Sequence, residues 1–346
     1  MMLTSNMKSN FVIFIVMADR EAIFYRNIGN LIKNKNIEPI YLSFNQMSNH
    51  LFDNDDIFLD YYTQSVEKYD LNINDKEILG SINHEAETYK LKKNKIIKEK
   101  YKNYRLKTFS ILKNIKERCE GSILIVQELG GFISQLSVFF SSQELKIEHL
   151  FLEPSFFSGK IFINKNTLLA PEIDSRKNTN EKTTNFVSNY LNQIVSNRNV
   201  VSPDKDKRHF KKMGIKKYFN FENLKKLIKK LLGKYIFRKK FEFSYLFTYS
   251  MIFVARYFNW LLSKKYYKKL SLINNNNINN NVYFPLHVPN DYSLTVRSPK
   301  YNHQYDIAKR LAQICKNKKL NLFIKEHPAG IGDFKLSEVK SLVGNG

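Results

Sequence analysis

A histidine followed by a proline ends the string Lys325-Glu326-His327-Pro328, which lies directly after a short apolar run. An imidazole in that position can donate an N–H to a phosphate and, when protonated, adds a positive charge. The proline fixes its own φ and pushes His327 toward extended backbone, so the ring is aimed. Lys325 and Glu326 alternate sides of the strand end, and one of them can join the site. A second place of interest is Gln127-Glu128-Leu129-Gly130-Gly131. Adjacent glycines after a strand let the backbone approach a ligand while the N–H groups of the next helix face it, and they equally make a plain tight turn. Asp53-Asn54-Asp55-Asp56 has carboxylates at a spacing that can hold a divalent ion against a diphosphate, but an acidic loop with asparagine reads better as solvated turn chemistry. No metal site is therefore assigned.

The elements that must position these groups follow from periodicity. Residues 282–286 (VYFPL) read as a short strand closed by Pro285 and Pro289. Tyr305, Ile307, Ala308, Leu311, Ala312 and Ile314 recur at helical spacing, and residues 320–324 form a second buried strand. The unit is β-loop-α-β, and ligands in doubly wound sheets sit beyond the carboxyl ends of such strands, where Glu326 and His327 fall. At the other end of the chain, FVIFIV (11–16) is the pattern of a buried parallel strand. A helix over 20–33 with Ile23, Phe24, Ile28, Leu31 and Ile32 on one face follows, then a strand at 37–44. Strand 122–126, helix 130–140 and strand 147–152 repeat the alternation, which predicts an α/β fold with a parallel sheet. No Gly-x-Gly-x-x-Gly turn accompanies it, so a dinucleotide cofactor is not expected. Residues 84–120, dense in Lys and Glu, predict one long helix or a helical pair inserted with an exposed charged face.

The string Phe284-Pro285-Leu286, Pro289-Asn290-Asp291, Arg297-Ser298-Pro299, a helix, and Lys325-Glu326-His327-Pro328 resembles the bacterial capsular polysaccharide synthesis family. Its pattern there runs FPLQ, PxD, SPY, a helix and KEHP; this chain has His287 for the glutamine and Lys300-Tyr301 for the tyrosine. The resemblance covers about fifty residues strongly and the opening β-α-β weakly. It implies a GT-B-like glycosyltransferase that uses CMP-Kdo, with the CMP-sugar as substrate and no separate cofactor. His327 would contact the donor phosphate, and Asp291, Arg297, Ser298, Lys325, Glu326 and Pro328, together with Gly130 and Gly131, would lie on the donor side. Leu152-Glu153-Pro154-Ser155-Phe156-Phe157 is similar to the family's Glu-x-Gly-Phe-Phe-Pro segment, which makes Glu153 the candidate catalytic carboxylate on the acceptor side. A solvated strand edge is the plain alternative for Glu153.

The implied organisation is a Rossmann-like acceptor domain over 1–173, a polar linker with a basic amphipathic segment over 174–281, and the beginning of a second Rossmann-like donor domain over 282–346. Only 18 residues follow Pro328, so a shortened member with an exposed sheet edge is expected. A catalytically inactive relative that scaffolds polysaccharide synthesis is the alternative. Two distant cysteines, Cys119 and Cys315, and no leader-like start place the chain in a reducing, cytoplasmic compartment. Charge adds an anionic partner: residues 205–269 hold 20 Lys/Arg against three acids, +17 of the chain's +24. With paired lysines between Leu and Ile over 221–236, that segment suits an anionic membrane surface at the inner membrane, next to a lipid-linked or polysaccharide acceptor. Residues 243–262 have a span's length, but Arg256 and four polar residues make a buried or interfacial helix the expectation. No nucleic-acid module is recognisable, so nucleic acid is not an expected partner.

Overall fold

The structure is a computed structural model that describes residues 10–33, 35–67, 69–155, 159–170, 180–197, 220–270 and 280–344. Six strands form one sheet: β1 (Asn10–Val16), β2 (Ile37–Ser43), β3 (Ile57–Asp60), β4 (Ile123–Glu128), β5 (Glu148–Pro154) and β6 (Ile161–Lys165). They stand in the order β3-β2-β1-β4-β5-β6 and are parallel except for β5 against β6. β1 is central, which is why its six apolar residues are continuous and not alternating. Phe11, Ile13 and Ile15 enter one core with Ile111, Leu112, Ile115 and Val138. Phe14 and Val16 enter the other with Ala22 and Tyr25. Helices α1 (Asp19–Lys33) on one face, and α3 (Lys95–Arg118) and α4 (Ile133–Glu144) on the other, complete the layers.

Two helices depart from their sequence pattern. α1 buries Ala22, Tyr25 and Gly29, while Ile23, Phe24 and Leu31 are exposed. Gly29 decides this: a Cβ there would lie 1.9 Å from the Tyr41 hydroxyl, so the helix rests on β2 at its smallest residue. Residues 84–120 are not an outward insertion. They divide into the end of α2 (Asp75–Tyr89) and α3, separated at Lys90 in the left-handed region and Asn94, whose side chain caps α3. The inner face of α3 carries Tyr101, Arg105, Thr108, Leu112 and Ile115, all buried. Arg105 is satisfied there by Glu77, Ser141 and Glu144.

A second sheet has two parallel strands, β7 (Asn281–Pro285) and β8 (Asn321–Lys325), with Val282 opposite Leu322 and Phe284 opposite Ile324. α8 (Gln304–Asn317) connects them and α9 (Leu336–Gly344) follows. In chain order, α5 (Glu181–Asn197), α6 (Phe221–Leu231), a π-helical turn at Leu232–Ile236 and α7 (Leu246–Leu270) come between the strands of the two sheets. The chain after α6 returns to the first sheet, where Phe241 bridges Asn45 and Glu242 is buried within reach of the Tyr62 hydroxyl, 3.4 Å away. Among the described residues no helix is long and apolar enough to cross a membrane. The basic run 205–219 and nearly all of the Asn-rich 274–281 stretch lie outside the described residues, as does most of 174–206 apart from α5.

Candidate functional site

Beyond the carboxyl ends of β7 and β8 the backbone makes a turn that begins at His327. Its carbonyl accepts the Gly330 N–H at 2.8 Å, and Pro328 takes the position where a preset φ favours such turns. The Ala329 N–H donates to His327 Nδ1 at 3.1 Å. A nitrogen that accepts cannot carry the proton, so the neutral ring is protonated on Nε2. Gly330 packs under Pro289, whose Cδ would be 2.6 Å from an added Cβ; the Pro-Asn-Asp and His-Pro segments are thus in direct contact. They border a cleft of about 440 Å³ whose walls include His287, Asn290, His303, Glu326 and His327, with Lys90 just after α2 and Lys335 as cations and Glu87, Asp306, Asp333 and Glu338 as carboxylates. Gln304 fixes one wall by bonding both ways to the His287 backbone.

The support of this cleft comes from α7, which the spacing of its polar residues makes evident. Arg256, Asn259, Ser263 and Tyr267 recur at three or four residues and so share one face. Arg256 binds Asp333 through Nε at 3.2 Å and Nη2 at 3.1 Å, and Asn259 donates to the Gly332 carbonyl at 3.1 Å. Tyr267 and the Gly332 N–H hydrogen-bond the Glu326 carboxylate. Arg256, a lone charge in an apolar stretch, is therefore the anchor of the loop that follows His327. Burial raises the Glu326 carboxyl to about 7, against the lowering by Tyr267 and Gly332. Its Oε1 is buried and has no hydrogen-bonding partner among the described residues. A carboxyl poised near neutrality in a cleft is a proton donor or acceptor by position.

Glu153 and Arg297 are brought together, although 144 residues separate them. Arg297 Nη1 and Nη2 donate to the two Glu153 oxygens at 2.9 and 2.8 Å, and Asn164 adds a third bond at 3.2 Å. Arg297 Nε donates to the Leu168 carbonyl at 3.0 Å, and the guanidinium lies 5.3 Å from the Tyr292 ring centre. Both carboxylate oxygens of Glu153, the candidate acceptor-side base, and the planar fork of Arg297, the candidate donor ligand, are engaged with each other in this structure. The pair clamps the end of β5 to the turn Ser293–Arg297. Arg297→Ala is expected to lower the unfolding free energy in urea by about 2–3 kcal/mol, since it strands Glu153. Arg297→Leu with Glu153→Leu should recover most of that loss.

The remaining residues singled out by sequence serve the junction around the cleft. Asp291 Oδ1 accepts the Ser293 N–H at 2.8 Å and its carbonyl accepts Thr295, starting the π-helical turn. Thr295 in turn meets His84 Nδ1 at 2.6 Å and Asn83 at 2.6 Å, docking the C-terminal unit on α2. Burial lowers His84 to about 4. Ser298 opens the 3-10 turn Pro299–Tyr301, and Lys325 is exposed at the end of β8. The clearance at the two glycines is taken by protein. An added Cβ would meet the Gln135 amide at 2.1 Å from Gly130, and His84 and Val296 at 2.7 Å from Gly131. In the acidic loop, Arg26 pairs with Asp53 and Asp56, and Lys33 with Asp56. At the carboxyl ends of β1 and β4, where the strand order reverses, Glu21 adjoins Glu128 and is pushed up to about 8 by burial while accepting the Met17 N–H. Sequence reasoning passed over Glu21 because it reads as an ordinary first-turn acid. No family model, curated protein or solved structure matches the chain.

Proposed function

We propose that the chain is a glycosyltransferase of capsular or surface polysaccharide synthesis, with GT-B architecture and a CMP-activated acidic sugar of the Kdo type as donor. The observation that supports it best is the convergence of Glu326 and His327 on one cleft beyond the ends of two parallel strands. About 440 Å³ falls in the range of small-ligand pockets. In the transfer, the bond between the anomeric carbon and the CMP phosphate oxygen breaks, and the acceptor hydroxyl oxygen bonds to that carbon and loses its proton. The departing phosphate takes up negative charge. His327 Nε2–H and the cations Lys90 and Lys335 are the groups that stabilise it. Glu326 holding a proton neither repels the phosphate nor leaves the cleft without a donor. The acceptor-side proton leaves to solvent water.

CMP release from CMP-Kdo with a lipid-linked acceptor, followed across pH, tests this reading. Since Glu326 acts in its protonated form, activity should fall as pH rises through about 7, and Glu326→Gln should remove that limb. A full pH profile in the Gln variant, or neither CMP release nor CMP binding by the unaltered chain, would overturn it. The same raised carboxyl has a stability signature with a definite sign. Between about 4.5 and 7 the folded chain binds more protons than the unfolded one, so its Glu326 contribution is present below 4.5 and lost as pH rises to 7. Glu326→Gln should flatten the fall of the unfolding midpoint over that window.

A further inference from the structure

We propose that α6 and the outward face of α7 form an in-plane docking surface for an anionic lipid bilayer. α7 has two faces of opposite use. Arg256, Asn259, Ser263 and Tyr267 face the cleft loop, whereas Phe247, Met251, Phe258 and Leu262 recur at helical spacing about 180° away and are 65%, 62%, 58% and 65% exposed. Four large apolar side chains in a row facing solvent is not a pattern that folding explains, because isolated exposed apolar residues are ordinary but a stripe marks an interaction surface. α6 repeats it beside α7. Phe221, Leu224 and Ile228 are 80%, 53% and 46% exposed on one face, and the exposed Lys225 and Lys226 lie beside it, while Lys229 pairs with Asp19 of α1.

Charge selects the occupant. α6 has four lysines against Glu222, and the exposed Lys264 and Lys265 continue the positive edge at the far end of α7. An apolar stripe bordered by lysines on helices that do not span is what lies in a headgroup layer, with rings below and ammonium groups at the phosphates. A protein partner would need a matching acidic groove, and nucleic acid would leave the stripe unused. The surface stands without the transferase reading. Under that reading it places the cleft across one helix diameter, about 10 Å, from a lipid-linked acceptor.

Sedimentation of the full chain with vesicles of phosphatidylcholine, with and without phosphatidylglycerol, tests the proposal. Binding should require the anionic lipid. It should drop by at least about tenfold in Phe258→Glu with Leu262→Glu, and by a similar factor in Lys225→Glu with Lys226→Glu. Met251→Glu serves as a second apolar variant, and circular dichroism establishes that each variant is folded. No binding to the anionic vesicles overturns the proposal, as does binding that the apolar variants leave intact. Retention on duplex DNA that the lysine variants abolish, without vesicle binding, overturns it in favour of nucleic acid.

Discussion

Replacing His327 with alanine is expected to slow CMP release from CMP-Kdo by about 10²–10³-fold, with a loss of stability small beside that effect on rate. The two halves of that expectation come from different atoms. His327 Nδ1 accepts one backbone N–H, and losing a neutral bond at a half-buried turn lowers stability by about 1 kcal/mol. Nε2 carries the proton, and its value rises only as the phosphate gains charge on departure, so the loss falls on turnover more than on donor affinity. His327→Gln keeps an amide N–H and should recover part of the rate. The measurement is single-turnover CMP formation in the three chains. An unchanged rate in the alanine variant would remove the ring from the donor phosphate and with it the support for a transferase.

The parts of this fold that were legible are those written as apolar runs. β1 and β4 begin as apolar runs whose centres are buried, and the strands of the β-loop-α-β unit fall at 281–285 and 321–325, each within one residue of the sequence reading, although Tyr283 and Phe323 at their centres are exposed. The short β3 and β6 were not legible: four and five residues, with a terminal Asp60 and Lys165, carry too little period against acidic turns and loops. α3 was legible as helix and illegible in orientation. Its inner face holds Arg105, Thr108 and Tyr101, and a buried guanidinium satisfied by Glu77 and Glu144 breaks the rule that charge faces out. The site divides in the same way. His327 and Glu326 were found because their neighbours in sequence are their neighbours in space. Glu153 and Arg297 were found singly, and their pairing was invisible since it depends on how two units dock. Arg256 was noticed as a cost to a membrane span, when its partner Asp333 lies 77 residues away.

Gly332→Ala is expected to have the largest effect on stability, about 3–4 kcal/mol, and to weaken CMP binding with it. Gly332 has φ of +82°, a region that L side chains rarely adopt, and its missing Cβ would lie 2.1 Å from the Arg256 carbonyl oxygen. Backbone cannot rotate away as a side chain can, so either α7 shifts or the loop does. A shift breaks several contacts at once: Asn259 to the Gly332 carbonyl, Arg256 to Asp333, and the Gly332 N–H to Glu326. Arg256→Ala should destabilise less, about 1.5–3 kcal/mol, by stranding Asp333. Combined with Asp333→Ala it should fall short of the sum of the single changes, because the two share one interaction. Urea unfolding gives the stabilities, and titration with CMP gives the affinities. If stability falls while CMP affinity is kept, the loop and cleft are independent and α7 is only scaffolding. Joint loss, set against the isolated rate loss in His327→Ala, is the signature of a cleft whose shape is held by one face of α7 and whose chemistry resides in the turn that face supports.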